Sequence, residues 1–346
     1  MMKSRALRIA TAVALMATVA ACSSTAASPT PAPATKAPES VAPSAKTYQY
    51  SDMVVGFIQT GSESGWRAAN TSSFNETAKA KGITLKFTDS QNKIENQITA
   101  FNTYVQDKDV NVIVLAAVGT TGYDDVLKAA KAAGKIVVIE DRRIEASSDL
   151  YLTYIGSDFN KEGQDSAAAM CDLLKDKTKK NVVEIHGDQA ASAAIDRAKG
   201  FREAMTKCNI TITASQASPA WDPVQGKAIM AAFLKASKDI QGVYGHNDEL
   251  AIAAIAALKE AGLVPGKDVM LVGVDATANG FKYLITGELG ADIECNPLLA
   301  PQVYEAALKG LNGDTSLPKW IPSEEGAFFA AQGAAALQEI LKTRKY

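Results

Sequence analysis

Short apolar runs recur along the chain between longer stretches that carry apolar side chains at helical intervals. The runs at 53–58, 83–88, 112–116 and 136–139 are bounded by polar or glycine positions, and they read as strands buried on both faces. Between them, 66–81, 95–106 and 121–133 space Ala, Leu, Val and Phe for one helix face. Gly82 and Gly134 stand where a left-handed residue ends a helix. The first half therefore predicts a βαβα unit on a parallel sheet. The pattern then restarts: strand 152–155, helix 160–175, strand 182–185, helix 193–207, strand 210–214, helix 224–237, strand 242–244, helix 248–261 and strand 269–274. Two similar halves in series predict an α/β fold of two doubly wound, Rossmann-like parallel-sheet domains. Such sheets bind ligands beyond the carboxyl ends of their strands, so facing domains would share one cleft.

The N-terminus lies outside this pattern. Lys3, Arg5 and Arg8 precede an apolar run from Ile9 to Ala17, and Val19-Ala20-Ala21 leads to Cys22. A basic start, a short apolar region and small residues before a cleavage point make an export signal, too short to span a bilayer. The Val-Ala-Ala-Cys run resembles the bacterial lipobox. That resemblance implies removal of residues 1–21, acylation of Cys22 and attachment to the outer face of the cell membrane through lipid. Residues 22–46 then hold prolines at 29, 31, 33, 38 and 43 among Ala, Ser and Thr, the composition of a tether with no core to bury.

Composition narrows the partners. The 346 residues are 47% hydrophobic and 21% charged, with 36 Lys and Arg against 38 Asp and Glu, which suits two ordinary globular domains. Loss of the signal would remove three basic residues and no acidic one, taking the formal charge from −2 to −5. No basic excess remains to neutralise phosphates, so no nucleic-acid partner is expected.

The residues just past each strand share a chemistry. They comprise Gly61-Ser62-Glu63-Ser64-Gly65-Trp66-Arg67, Glu140-Asp141-Arg142-Arg143, Ala194-Ile195-Asp196-Arg197, Trp221-Asp222, His246-Asn247-Asp248 and Asp275. Carboxylates accept from adjacent hydroxyls, Arg and Asn donate in fixed geometry, and an indole face covers the C–H face of a ring. The set suits a hydroxyl-rich small ligand such as a sugar. Singly, each residue has a duller role open to it: Asp141 or Asp248 as a helix cap, Trp66 or Trp221 as core, Arg197 as a solvated charge.

These segments, with Glu95-Asn96-Gln97-Ile98, Asn181-Val182-Val183-Glu184, Gly200-Phe201 and Lys259-Glu260-Ala261-Gly262, resemble the type I periplasmic sugar-binding proteins of ABC importers. Gly-Ser-Glu-Ser-Gly-Trp-Arg is most similar to their galactofuranose-binding branch. The likeness runs from about Met53 to the C-terminus. It implies that Glu63, Arg67, Asp141 and Arg142 hold sugar hydroxyls from the first domain, with Trp66 on one ring face. Arg197, Asn247 and Asp275 would bind from the second domain, with Trp221 on the other face. Cys295 departs from the glutamine of ribose-type relatives and argues against ribose. The resemblance also implies a three-segment hinge near 156–158, 295–297 and 320–322. Its domains would be 47–157 with 296–321 and 158–295 with 322–346, and a helix 297–312 would return to the first. The expected partners are a monosaccharide of galactofuranose, arabinose or galactose type and the transmembrane subunits of an ABC permease. A monomer is expected, and a chemoreceptor or kinase reading the closed form stays open as an alternative.

Catalytic and metal signatures are missing. The Gly61–Gly65 segment has Glu where a hydrolase elbow needs Ser, and neither a Gly-x-Gly-x-x-Gly turn nor a Walker loop occurs. No calcium-loop spacing is present, so no enzyme activity, cofactor or metal is expected. His186 and His246 are assigned to different halves and, with no evident partner, read as structural. With Cys22 acylated, three cysteines remain in an oxidising compartment. Cys171 and Cys208 sit on helices flanking one strand and are expected to bridge. Cys295 is expected as a buried free thiol near the hinge.

Overall fold

The structure, a computed structural model, describes residues 46–346 apart from Glu63. The export signal, Cys22, the tether up to residue 45 and Glu63 lie outside the described residues. In chain order the first group of elements is β1 (Val54–Gln59), α1 (Gly65–Lys81), β2 (Thr84–Asp89), α2 (Ile94–Gln106), β3 (Val112–Leu115), α3 (Asp124–Ala132), β4 (Ile136–Glu140) and β5 (Thr153–Gly156). The second group is α4 (Phe159–Leu173), β6 (Asn181–His186), α5 (Ser192–Met205), β7 (Thr211–Ala217), α6 (Pro223–Ala236), β8 (Gly242–Gly245), α7 (Asp248–Glu260), β9 (Met270–Asp275), α8 (Ala278–Thr286) and β10 (Ala291–Glu294). A last group, α9 (Ala300–Leu311), β11 (Trp320–Pro322), β12 (Ala327–Phe329) and α10 (Ala334–Thr343), serves both sheets.

One sheet runs β11-β5-β4-β3-β1-β2 and the other β12-β10-β9-β8-β6-β7. All pairings are parallel except β10 with β12. This is the pair of doubly wound α/β domains that the alternation predicts. The chain passes between the sheets three times. It leaves β5 for α4, leaves β10 for α9, which packs on the first sheet, and leaves β11, which pairs with β5, for β12, which pairs with β10.

The continuous apolar runs follow from helices on both faces. Along β3, Val112 and Val114 join Phe57, Phe74 and Tyr304 under α1 and α9. Their neighbours Ile113 and Leu115 join Phe101, Tyr104 and Leu127 under α2 and α3. Period two thus divides one apolar strand between two cores.

Three expectations are corrected. β2 is not buried on both faces; it is an edge strand bonded only to β1, with Thr84 and Phe87 exposed, because at the sheet margin α1 covers it only in part and the rest faces solvent. The helix expected over 297–312 begins at Ala300, since residues 296–299 form the crossing. There Asn296 Oδ1 accepts from the Leu298 amide at 2.9 Å, and the Pro297 carbonyl is taken by Asn70 Nδ2 at 3.1 Å. The strand β10 and its antiparallel partner β12 were absent from the periodicity. β10 alternates apolar residues with Asp292 and Glu294 and so makes no apolar run, and β12 has only three residues, paired along the edge of β10.

Helices α4 and α5 lie in close contact. A Cβ on Gly200 would stand 1.9 Å from the carbonyl oxygen of Asn160, so only glycine allows this approach. Beyond that contact, Cys171 and Cys208 form a disulfide with Cα atoms 5.8 Å apart, and Cys295 is a buried free thiol. The bridge closes a sequence separation of 37 residues. A Cys171→Ser, Cys208→Ser double variant is expected to lose about 3–4 kcal/mol of unfolding free energy on the chain-entropy scale. Urea unfolding of oxidised parent and variant measures this, and a loss below about 1 kcal/mol would leave the bridge with no constraining role.

Candidate functional site

The carboxyl ends of the two sheets face each other across a cleft lined by Trp66, Arg67, Asp141, Arg142, Arg197, Trp221, Asn247 and Asp275. Eight of the nine ligand positions expected from sequence are therefore gathered in one place, and the ninth, Glu63, is outside the described residues. Ser64, Phe159, Ala193 and Cys295 complete the lining. Phe159 had no readable signal, because an apolar residue opening a helix looks like core.

The first wall is built at the start of α1 and the end of β4. Ser64 caps α1 by accepting from the Arg67 amide at 3.1 Å, which fixes the first turn and aims Trp66 and Arg67 inward. Arg67 is 3% exposed. Its Nη2 donates to Asp141 Oδ2 at 2.7 Å and its Nη1 to Gln59 Oε1 at 3.1 Å. Asp141 holds a left-handed backbone, φ 58°, and its own amide and carbonyl are bound by Ile155 O at 2.9 Å and the Tyr154 hydroxyl at 2.8 Å. Behind it, Glu140 accepts from Asn70 at 3.1 Å. Burial, reinforced by Asp141, pushes the Glu140 carboxyl up to about 8.

The second wall centres on Arg197 in α5. Its Nε donates to Glu162 at 2.6 Å, its Nη1 to the His246 carbonyl at 2.6 Å, and its Nη2 lies 3.5 Å from Asp275. Burial disfavours the guanidinium charge, yet Glu162, Cys295 and Asp275 outweigh it and hold the group firmly protonated. Burial in turn pushes the Glu162 and Asp275 carboxyls up, against the opposing pull of Arg197. Asn247 caps α7 through its side chain, 3.0 Å from the Leu250 amide. Trp221 sits in a left-handed turn, φ 58°, after β7, and Asp275 has φ 113°. Such backbone costs of order 1–3 kcal/mol per residue and persists only where surroundings impose it. The indole of Trp221 leaves no room beside it: a Cβ on Gly187 would stand 2.3 Å from the ring.

Contacts also join the walls. Trp66 Nε1 donates to the Cys295 carbonyl at 2.7 Å, the Arg142 guanidinium lies 5.7 Å from the Trp221 ring centre, and Arg143 binds Asp196 through two bonds of 2.8 and 2.9 Å. The space left between the walls is about 30 Å³ and is open to solvent on one side, room for one or two waters.

The histidine expectation is corrected. β6 and β8 are neighbours, so His186 and His246 lie in the same half with ring centres 5.7 Å apart. Burial drives His246 down to about 4, leaving it neutral at pH 7, with Nε2 3.0 Å from Glu184 Oε1.

These two hinged lobes, with a polar cleft between them, are the architecture of a solute receptor. Residues 55–313 match the periplasmic binding protein domain, and the chain belongs to that family. It is 39% identical over 302 residues to the galactofuranose-binding protein YtfQ of Escherichia coli K12, covering 85% of this chain and 93% of that one. A Mycobacterium smegmatis structure in complex with β-D-fucofuranose is 38% identical with a TM-score of 0.79, covering 84% and 96%. The periplasmic component of an arabinose ABC transporter from Shewanella sp. ANA-3, bound to α- and β-L-arabinofuranose, is 38% identical with a TM-score of 0.77, covering 84% and 99%.

Glu140 makes the pH dependence of the first wall testable. Its carboxyl holds a proton in the folded chain that the unfolded chain releases above its ordinary value of 4.5. The native state thus binds more protons between about pH 5 and 8, and stability falls as pH rises through that window. Relative to Glu140→Gln, the parent is expected to lose on the order of 1–3 kcal/mol from pH 5 to 8. Urea midpoints across that range measure it, and a constant difference would mean Glu140 titrates normally.

Proposed function

We propose that this chain is the sugar receptor of an ABC importer, capturing a monosaccharide between its two lobes and presenting the closed form to the transmembrane subunits. The observation that carries this reading is the cleft itself. Two carboxylates, three guanidiniums, an amide and two indoles from the two sheets converge on one small space. Asp141 and Asp275 accept from ring hydroxyls, Arg67, Arg142, Arg197 and Asn247 donate to hydroxyl and ring oxygens, and Trp66 and Trp221 cover the two ring faces. Glu63, in the same sequence segment as Trp66, is assigned a hydroxyl as well.

The sugar is read as a furanose of galactofuranose or arabinofuranose type. The galactofuranose-binding relative and the structures bound to fucofuranose and arabinofuranose are 38–39% identical over nearly the whole length of the lobes. The cleft is read as binding rather than catalytic, because its carboxylates are committed to arginines within their own walls: Asp141 to Arg67, Asp275 to Arg197. Export, lipid attachment at Cys22 and a monomeric state are part of the same proposal.

Calorimetric titration of the full chain with L-arabinose, D-galactose, D-fucose, D-ribose, amino acids and nucleosides tests the ligand class. Saturable binding of arabinose, galactose or fucose is expected. In Arg197→Ala the affinity should fall by about 30-fold or more, since the variant strips a buried charged donor and leaves Glu162 and Asp275 uncompensated. Binding of an amino acid or nucleoside alone would overturn the sugar reading while leaving the fold untouched. In the source cell, Cys22→Ala is expected to move the protein from the membrane fraction to the soluble exported fraction; unchanged partition would exclude a lipid anchor at Cys22.

A further inference from the structure

We propose that Glu162, Cys295 and Glu325 form a binding site for a thiophilic divalent cation of the zinc class, one ligand from each segment by which the chain passes between its sheets. Glu162 lies in the first turn of α4, directly after the first crossing. Cys295 follows β10 in the second, and Glu325 lies between β11 and β12 in the third. One carboxylate oxygen of each glutamate and the Cys295 sulfur lie within 4.8 Å of one another. Tetrahedral zinc with bonds of 2.0–2.3 Å needs ligand separations of about 3.3–3.8 Å, so a small contraction closes the site.

A second observation is independent of this clustering. Glu162 is 2% exposed and its Oε1 has no hydrogen-bond partner, although Oε2 is bound by Arg197 at 2.6 Å. A buried carboxyl oxygen without a partner, clustered with a thiol and another carboxyl group, is a position that a cation can fill. The surrounding contacts supply the orientation that metal ligands need. Arg197 fixes the Glu162 plane, while the Ser157 and Ser323 hydroxyls and the Asn296 amide hold Glu325 Oε1.

The chemistry selects the cation. A thiolate with two carboxylates favours zinc-class ions over calcium or magnesium, which prefer all-oxygen shells. An entry path exists as well. A cavity of about 390 Å³ is lined by Asp158, Glu162, Asp165, Glu294 and Glu325, and neither Trp66 nor Trp221 is among its lining residues. Its one basic lining residue, Lys161, is already paired with Asp165. The field there draws cations inward. Bound metal would tie the three crossings to one another and, through Glu162, to Arg197 of the sugar cleft. The site is independent of which sugar the cleft accepts.

Cobalt(II) is the probe. The full chain is prepared with Cys22→Ala, which leaves Cys295 as its one free thiol. A near-ultraviolet thiolate-to-cobalt absorption band is expected to saturate at one equivalent and to disappear on addition of zinc. In Cys295→Ser the band should vanish, and in Glu325→Gln the cobalt dissociation constant should rise by about tenfold or more. Circular dichroism checks the fold of both variants; if one fails to fold, the other decides. Absence of the band in the Cys22→Ala chain, or undiminished cobalt binding in Cys295→Ser or Glu325→Gln, would overturn the site.

Discussion

Three buried guanidiniums set the terms for this structure. Arg67, Arg142 and Arg197 are each 5% exposed or less, and a charge that deep is tolerated only when paired and hydrogen-bonded. The chain meets the requirement wall by wall. Arg67 and Asp141 both belong to the first wall, while Arg197, Glu162 and Asp275 all belong to the second. Arg142 lies 3.6 Å from the same Asp141, and these ion pairs each stay within one wall. The ion pair that does cross, Arg143 with Asp196, is half-exposed on the arginine side. Water can replace it at small cost when the cleft opens.

That division accounts for the tight cleft. With the charges neutralised inside each wall, the space between is closed by Trp66, whose ring belongs to the apolar cluster of the opposite lobe, and by Trp221 with Arg142. In the proposed function both indoles would trade these contacts for the C–H face of a sugar ring, and the lining donors and acceptors are already oriented by their partners. Binding then spends little on ordering side chains, which is how a small ligand can draw two domains together.

Much of this was legible in the sequence, for identifiable reasons. Val112 to Leu115 is apolar throughout because helices cover both faces of its sheet, and Gly82 marks a helix end because its φ of 72° suits glycine. The gathering of Asp141, Asn247 and Asp275 in one cleft was legible because each falls just past the carboxyl end of a strand, where the two sheets meet. What escaped depends on contacts distant in sequence. Thr84 to Asp89 has the composition of a strand but not the signature of an edge. Glu162 reads as an exposed helical carboxylate until α5 delivers Arg197 to it. The two histidines become neighbours only through the β6–β8 pairing, and the left-handed backbone at Asp141 and Trp221 has no glycine to announce it.

The central claim is that the lobes move as units about three crossings and close on the ligand. Single-molecule energy transfer tests it most directly, with one dye on the exposed face of α3 at Lys128 and the other on α6 at Lys235, each lysine changed to cysteine in a Cys22→Ala background. The account predicts two distances without sugar, exchanging between a longer and a shorter value, and collapse onto the shorter one as a bound sugar saturates. A single distance, unchanged from zero to saturating ligand, would contradict it.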